Sequence, residues 1–235
     1  MIPLVHLDTA TVPGGGELRL MRRGNDFSIW AGATALMNSR MSGSEAALAE
    51  LACDRLRGRK NCRMLIGGYG MGFTLRAALA GLDADAGIVV AELVPKVLAW
   101  AQGPMAELTA GGLSDPRVSV IEADVGGVIA SARAGFDAIL LDVDNGPDGL
   151  SRRQNDRLYT LSGLEAARKA LRPKGLLAIW SAAPNKAFAD RLARAGFGVD
   201  EIKVRANKGR GVRHVIWIAT NTASVLGQAG IKQRN

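Results

Sequence analysis

The spacing of apolar positions changes once along the chain, near residue 60. Before it, residues 17–20 and 27–30 read as two short strands, and Arg23-Gly24-Asn25-Asp26 between them supplies turn chemistry, so a hairpin is predicted. Residues 12–16, Val-Pro-Gly-Gly-Gly, read as a turn or linker. Residues 44–56 place Leu48, Leu51, Ala52 and Leu56 on one helical face, with Ser42 or Ser44 as the N-cap. From residue 63 onward, strands and helices alternate. Strands are predicted at 63–66, 87–93, 118–123, 136–143 and 175–181. Helices are predicted from the loop after the first strand to residue 80, then at 95–102, 161–171 and 185–195. Alternation of this kind builds a parallel sheet covered by helices on both faces. Two last strands, 199–204 and 214–220, have no helix between them and predict an antiparallel edge pair. The expected organisation is a β/α extension over 1–58, a main α/β domain over 59–222 and a tail over 223–235.

The chain has 235 residues, 48% of them hydrophobic and 22% charged, which suits one sizeable globular core. No apolar run approaches the ~18 residues of a membrane span. The start, Met-Ile-Pro-Leu-Val-His, lacks the basic and apolar regions of a secretory signal, so a cytoplasmic protein is expected. Cys53 and Cys62 are too few for a disulfide framework or a four-cysteine zinc site, and read as buried thiols. His6 and His214 do not suggest a metal site, and none is predicted. The net charge of +8 permits an anionic partner without requiring one. The basic runs at 55–60 and 203–213 read first as solvated surface; with no aromatic interleaving, nucleic acid is the secondary reading.

Four strand ends carry chemistry. After the first strand comes Gly67-Gly-Tyr-Gly-Met-Gly72, whose glycines let the backbone turn tightly against a ligand. Glu92 ends the second strand about 20 residues beyond those glycines, where a carboxylate can accept from both ribose hydroxyls. Asp124 follows the third strand and can accept from an adenine amino group, cap the next helix, or do both. The fourth delivers Asp142, Asp144 and Asn145 to the carboxyl edge of the sheet. Two carboxylates there can raise one another's pKa and create a base, or attract a cationic amine or sulfonium. Trp180, at the end of the fifth strand, is either a cation–π cover for such a group or core.

Glycines, Glu, Asp and Asp after four successive strands resemble the class I fold that binds S-adenosylmethionine (SAM), a Rossmann-like seven-stranded sheet. Gly68-Tyr-Gly-Met-Gly-Phe-Thr-Leu-Arg76, the Asp-Pro-Arg-Val run at 115–118 and the Asp142 strand resemble the spermidine synthase-like branch more closely. The resemblance implies a nucleoside site formed by Gly68, Gly70, Gly72, Glu92, Leu93, Asp124, Val125 and Asp142, and catalysis by Asp142 with Asp144. It places Asn145, Tyr159 and Trp180 on the substrate side, and the dimerisation frequent in that branch allows a homodimer by analogy only, with the oligomeric state left open.

Three departures from that branch bear on the reaction. Met71 stands where aminopropyltransferases carry an aspartate that holds the amine of decarboxylated SAM. Asp142-Val-Asp-Asn145 replaces Asp-Ser-Ser-Asp. The Gln and Tyr of the N-terminal region are absent, and in the stretch 35–45 only Glu45 matches. Because ordinary SAM carries a carboxylate that an aspartate would repel, its loss predicts methyl transfer from SAM to a small amine. The alternative is aminopropyl transfer from decarboxylated SAM. An RNA methyltransferase and a non-catalytic SAM-binding protein are two further readings.

Overall fold

The computed structural model describes residues 2–143, 155–207 and 210–222. Two sheets form. The first is an antiparallel meander of β1 (Val5–Thr11), β2 (Glu17–Arg23), β3 (Asp26–Ala31) and β4 (Thr34–Asn38). The predicted hairpin is its β2–β3 pair, with Gly24 at φ +60° in the turn. The strands β1 and β4 were not anticipated: their burial is partial and irregular, so no clean alternation marks them.

Helix α1 (Gly43–Leu56) leads to the second sheet, β5 (Arg63–Gly67), α2 (Phe73–Gly81), β6 (Gly87–Glu92), α3 (Pro95–Gln102), α4 (Ala106–Thr109), β7 (Val118–Glu122), α5 (Val125–Ser131), β8 (Phe136–Leu141), α6 (Leu161–Ala170), β9 (Leu171–Ser181), α7 (Lys186–Arg194), β10 (Phe197–Asn207) and β11 (Arg210–Asn221). The strand order is β10-β11-β9-β8-β5-β6-β7. From β9 to β7 every pairing is parallel, while β11 lies antiparallel to both β9 and β10. The predicted edge pair is present, with β11 inserted inside β10. The seven-stranded Rossmann-like α/β fold is therefore as expected.

All six residues of β8 are buried, as a strand covered on both faces requires. Leu20 and Ile29 of the first sheet share one apolar cluster with Leu48 of α1 and with Met64 and Ile66 of β5, so the N-terminal sheet packs against the main core. The order reverses between β5 and β8, whose neighbours run to opposite edges. A crevice opens at such a reversal, beyond the carboxyl ends of the strands.

Polar burial is tied off. Asp137, 4% exposed, accepts from Arg59 at 2.8 Å, from Arg172 at 2.7 Å and from the Arg63 backbone at 2.8 Å. Four cations of the 55–60 run pair with carboxylates: Arg55 with Asp200, Arg57 with Asp54, Arg59 with Asp137 and Lys60 with Asp83. Cys53 and Cys62 are free buried thiols, both pushed up to about 11, mainly by burial. Among the described residues no helix is long and apolar enough to cross a membrane.

Candidate active site

The crevice at the β5–β8 reversal holds two adjoining cavities, of about 220 and about 80 Å³. Gly68 leaves β5 at φ +83°, and a Cβ there would sit 2.8 Å from the Asp142 carbonyl oxygen. The loop therefore lies flat against the end of β8, an approach that only glycine permits. Gly70, also at positive φ, faces Met37 of β4. Gly72 has a different task, standing in the left-handed conformation as the N-cap of α2.

The larger cavity brings together Gly68, Gly70, Glu92, Leu93, Asp124, Val125 and Asp142 from four separate segments. Glu92 is buried, and each of its carboxylate oxygens takes a backbone donor: Tyr69 N at 2.8 Å and Val94 N at 2.8 Å. Burial raises its pKa, and the backbone N–H groups oppose that rise. Glu92 also lines the larger cavity, where a carboxylate is an acceptor for hydroxyls. Asp124 caps α5 by accepting from Gly126 N at 2.6 Å. The opposite wall comes from the N-terminal sheet, including Val12, Leu18, Ile29, Leu36 and Met37, a set that only packing of the two sheets brings to the site.

The smaller cavity is lined by Glu45, Met71, Phe73, Asp142 and Trp180, among others. Asp142 lines both cavities and marks their boundary. Its carboxylate accepts from Thr74 Oγ1 at 2.6 Å. Burial raises the Asp142 pKa, and the Thr74 hydrogen bond opposes it. Glu45, on the first turn of α1, is pushed up to about 7 by burial and by the neighbouring Asp142 charge. Trp180 stands edge-on to His214, with ring centroids 4.7 Å apart. Met71, only 2% exposed, fills the place of the missing loop aspartate with an apolar side chain.

Tyr159 lines neither cavity; its ring packs edge-on against Phe188 at 5.7 Å and its hydroxyl donates to the Val143 carbonyl at 3.3 Å. Asp144 and Asn145 lie outside the described residues. Glu45 was visible in the sequence as a match without a role, and Thr74 only as part of the Thr-Leu-Arg run at 74–76. Helix α1 and the end of β8 are about a hundred residues apart in sequence, and no spacing rule joins them.

No protein-family profile matches the chain. It is similar to polyamine aminopropyltransferase 1 of Streptomyces coelicolor, 30% identical over 149 residues, 60% of this chain and 27% of that protein. It is 28% identical to the polyamine aminopropyltransferase of Mycobacterium tuberculosis over 173 residues, 72% of this chain and 31% of that protein. The matched region thus spans less than a third of each relative's length. The spermidine synthase of Thermotoga maritima superimposes with a TM-score of 0.75 at 16% identity, covering 92% of this chain and 72% of that one. A spermidine synthase solved with the transition-state analogue AdoDATO superimposes with a TM-score of 0.74 at 15% identity, over the same shares.

Strand order and the two superpositions give this chain the Rossmann-like fold of the spermidine synthases, the class I methyltransferase fold. In sequence, its similarity runs to polyamine aminopropyltransferases, over less than a third of their length.

Methyl transfer, the reaction favoured from the loss of the loop aspartate, is overturned by these relatives, which are named aminopropyltransferases. The physical reason lies in Glu45. Met71 takes one carboxylate out of the loop, whereas the fold sets a second carboxylate beside Asp142 from α1. Two carboxylates at that wall would repel the carboxylate of ordinary SAM and attract an ammonium.

Proposed function

We propose that the protein transfers an aminopropyl group from decarboxylated SAM to a small amine. The observation that carries this reading is the Glu45–Asp142 carboxylate pair on the wall of the smaller cavity, next to the larger one lined by the glycine loop, Glu92 and Asp124. The residues suit that donor: a flat glycine edge at Gly68, the Glu92 carboxylate on the cavity wall, and acidic groups at the end where only positive charge would sit. When bound, decarboxylated SAM supplies a sulfonium that activates its propyl carbon toward nucleophiles.

The chain's own residues supply binding, alignment and a proton acceptor. Glu92 holds the ribose hydroxyls, and Asp124 accepts from the adenine amino group, with Leu93 and Val125 flanking the base. Asp142, at the boundary of the two cavities, aligns the acceptor nitrogen with the reacting carbon. Glu45, poised at about 7, takes a proton from the acceptor ammonium, because only the free amine has a lone pair to attack. Trp180 and Phe73 enclose the acceptor's apolar carbons. Most of the rate gain is assigned to alignment.

The test is incubation with decarboxylated SAM and a panel of mono- and diamines, following release of the thioether nucleoside. Product formation that requires decarboxylated SAM and an amine supports the reading. Tighter binding of SAM than of its decarboxylated form, with no aminopropylated product, would refute it.

A further inference from the structure

A hydrogen-bonded line leaves the smaller cavity away from the nucleoside side. Ser44 Oγ donates to Glu45 Oε2 at 2.7 Å, and His214 Nδ1 lies 3.0 Å from the same Ser44 Oγ. Ser44 is 1% exposed, whereas His214 on β11 is half-buried. The Ser44 hydroxyl is not a helix cap: the N-cap of α1 is Ser42. Trp180, packed edge-on at 4.7 Å, fixes the imidazole plane.

We propose that Glu45, Ser44 and His214 form a proton relay that carries the acceptor amine's proton from the cavity to solvent. The proposal rests on the aminopropyl-transfer reading above. The acceptor enters as R–NH3+ and gives one proton to the Glu45 carboxylate. The freed lone pair forms the C–N bond to the propyl carbon as the C–S bond breaks, and the bonding pair goes to sulfur. Sulfonium becomes neutral thioether and the product nitrogen becomes a secondary ammonium, so each turnover releases one proton. With His214 in its Nε2–H tautomer, Glu45 passes that proton to Ser44 Oγ while the Ser44 hydroxyl proton moves to His214 Nδ1. His214 then loses its Nε2 proton to water. The resulting state has Ser44 donating to Glu45 and His214 Nδ1–H donating to Ser44, which fits the observed hydrogen bonds. Proton exchange of the ring with solvent restores the Nε2–H tautomer for the next turnover.

The surroundings favour a neutral ring. Burial lowers the His214 pKa. From β8 the charged group facing Glu45 is Asp142, and from β9 the ring's neighbour is the uncharged Trp180. On β10, Val204 pairs with His214, and strand alternation sends the paired Arg205 and Arg213 to the other face. Among the described residues no ion pair involves Glu45, Asp142 or His214.

Nitrogen-detected NMR can read the line directly, because the chain holds only two histidines and His6 is exposed. With Glu45 ionised, His214 should carry its proton on Nδ1. As Glu45 protonates near pH 7, the proton should move to Nε2. Ser44→Ala should abolish that tautomer change and Ser44→Thr should restore it. Ser44→Ala and His214→Asn should each lower kcat roughly tenfold or more, with KM for the nucleoside unchanged, and added imidazole should rescue His214→Ala. A single tautomer from pH 5 to 9, or an undiminished kcat in both variants, would overturn the relay. If the wild-type protein transfers nothing to any amine, the transfer reading falls and the relay's task falls with it; a surviving tautomer change would still establish the proton line.

Discussion

Replacing Glu45 by Gln removes an ionisable group that the fold holds under strain, and the effect can be sized. The carboxyl is raised from 4.5 to about 7, by burial first and the Asp142 charge second. The native state therefore keeps its proton up to about pH 7, whereas the unfolded chain releases it near 4.5. Between those values the unfolded state binds fewer protons than the native one, so stability falls as pH rises and levels off above about 7. At about 1.4 kcal/mol per pH unit, the full loss is about 3 kcal/mol. Asp142 titrates together with Glu45 and keeps part of the penalty in the variant, so a gain of about 1–3 kcal/mol is expected. Gln preserves the acceptor for Ser44. Urea unfolding at pH 5 and pH 8 measures it: Glu45→Gln and wild type should be nearly equal at pH 5, and the variant more stable at pH 8. An equal difference at both pH values would refute the claim that burial and the Asp142 charge raise the Glu45 pKa.

Other perturbations follow from the same geometry. Glu92→Ala should abolish nucleoside binding by calorimetry, since it removes the ribose acceptor and frees the Tyr69 and Val94 N–H groups; unchanged affinity would sink the site. Gly68→Ala forces a Cβ against the Asp142 carbonyl at positive φ and should cost about 1–3 kcal/mol and weaken nucleoside binding; a fully stable, fully binding variant would contradict the close approach. Asp137→Asn should lower stability by about 2–3 kcal/mol by leaving Arg59 and Arg172 without their shared carboxylate, read as a lower urea midpoint. Asp142→Asn should cut turnover by roughly 10²–10⁴-fold, as followed by thioether release, and near-normal turnover would remove it from the catalytic group.

Short-range pattern determined most of the larger sheet. Continuous apolar runs such as 136–141 are buried on both faces, and a run of that kind, with turn residues at each end, identifies itself. The glycine loop, Glu92, Asp124 and Asp142 were legible for the same reason: each sits at a strand's carboxyl end, and a parallel sheet aligns those ends. Asp124 could be read as a cap because capping is a contact within three residues. The strands β1 and β4 were not legible, since half-buried meander strands lack a clean two-residue period.

Tertiary structure alone decided the chemistry of the smaller cavity. Glu45 looks like an ordinary first-turn acid on an amphipathic helix. Its raised pKa exists only because α1 docks beside β8 and sets two carboxylates in one low-dielectric wall. Met71 in place of a loop aspartate removes one carboxylate and, along the chain, one reason to prefer the decarboxylated donor. Charge in a cavity is a sum over whatever the fold brings within a few ångströms, and that sum does not depend on distance along the chain. The sequence determined that the glycine loop, Glu92, Asp124 and Asp142 would meet at one sheet edge; the packing of α1 against the sheet decided what lies beside them.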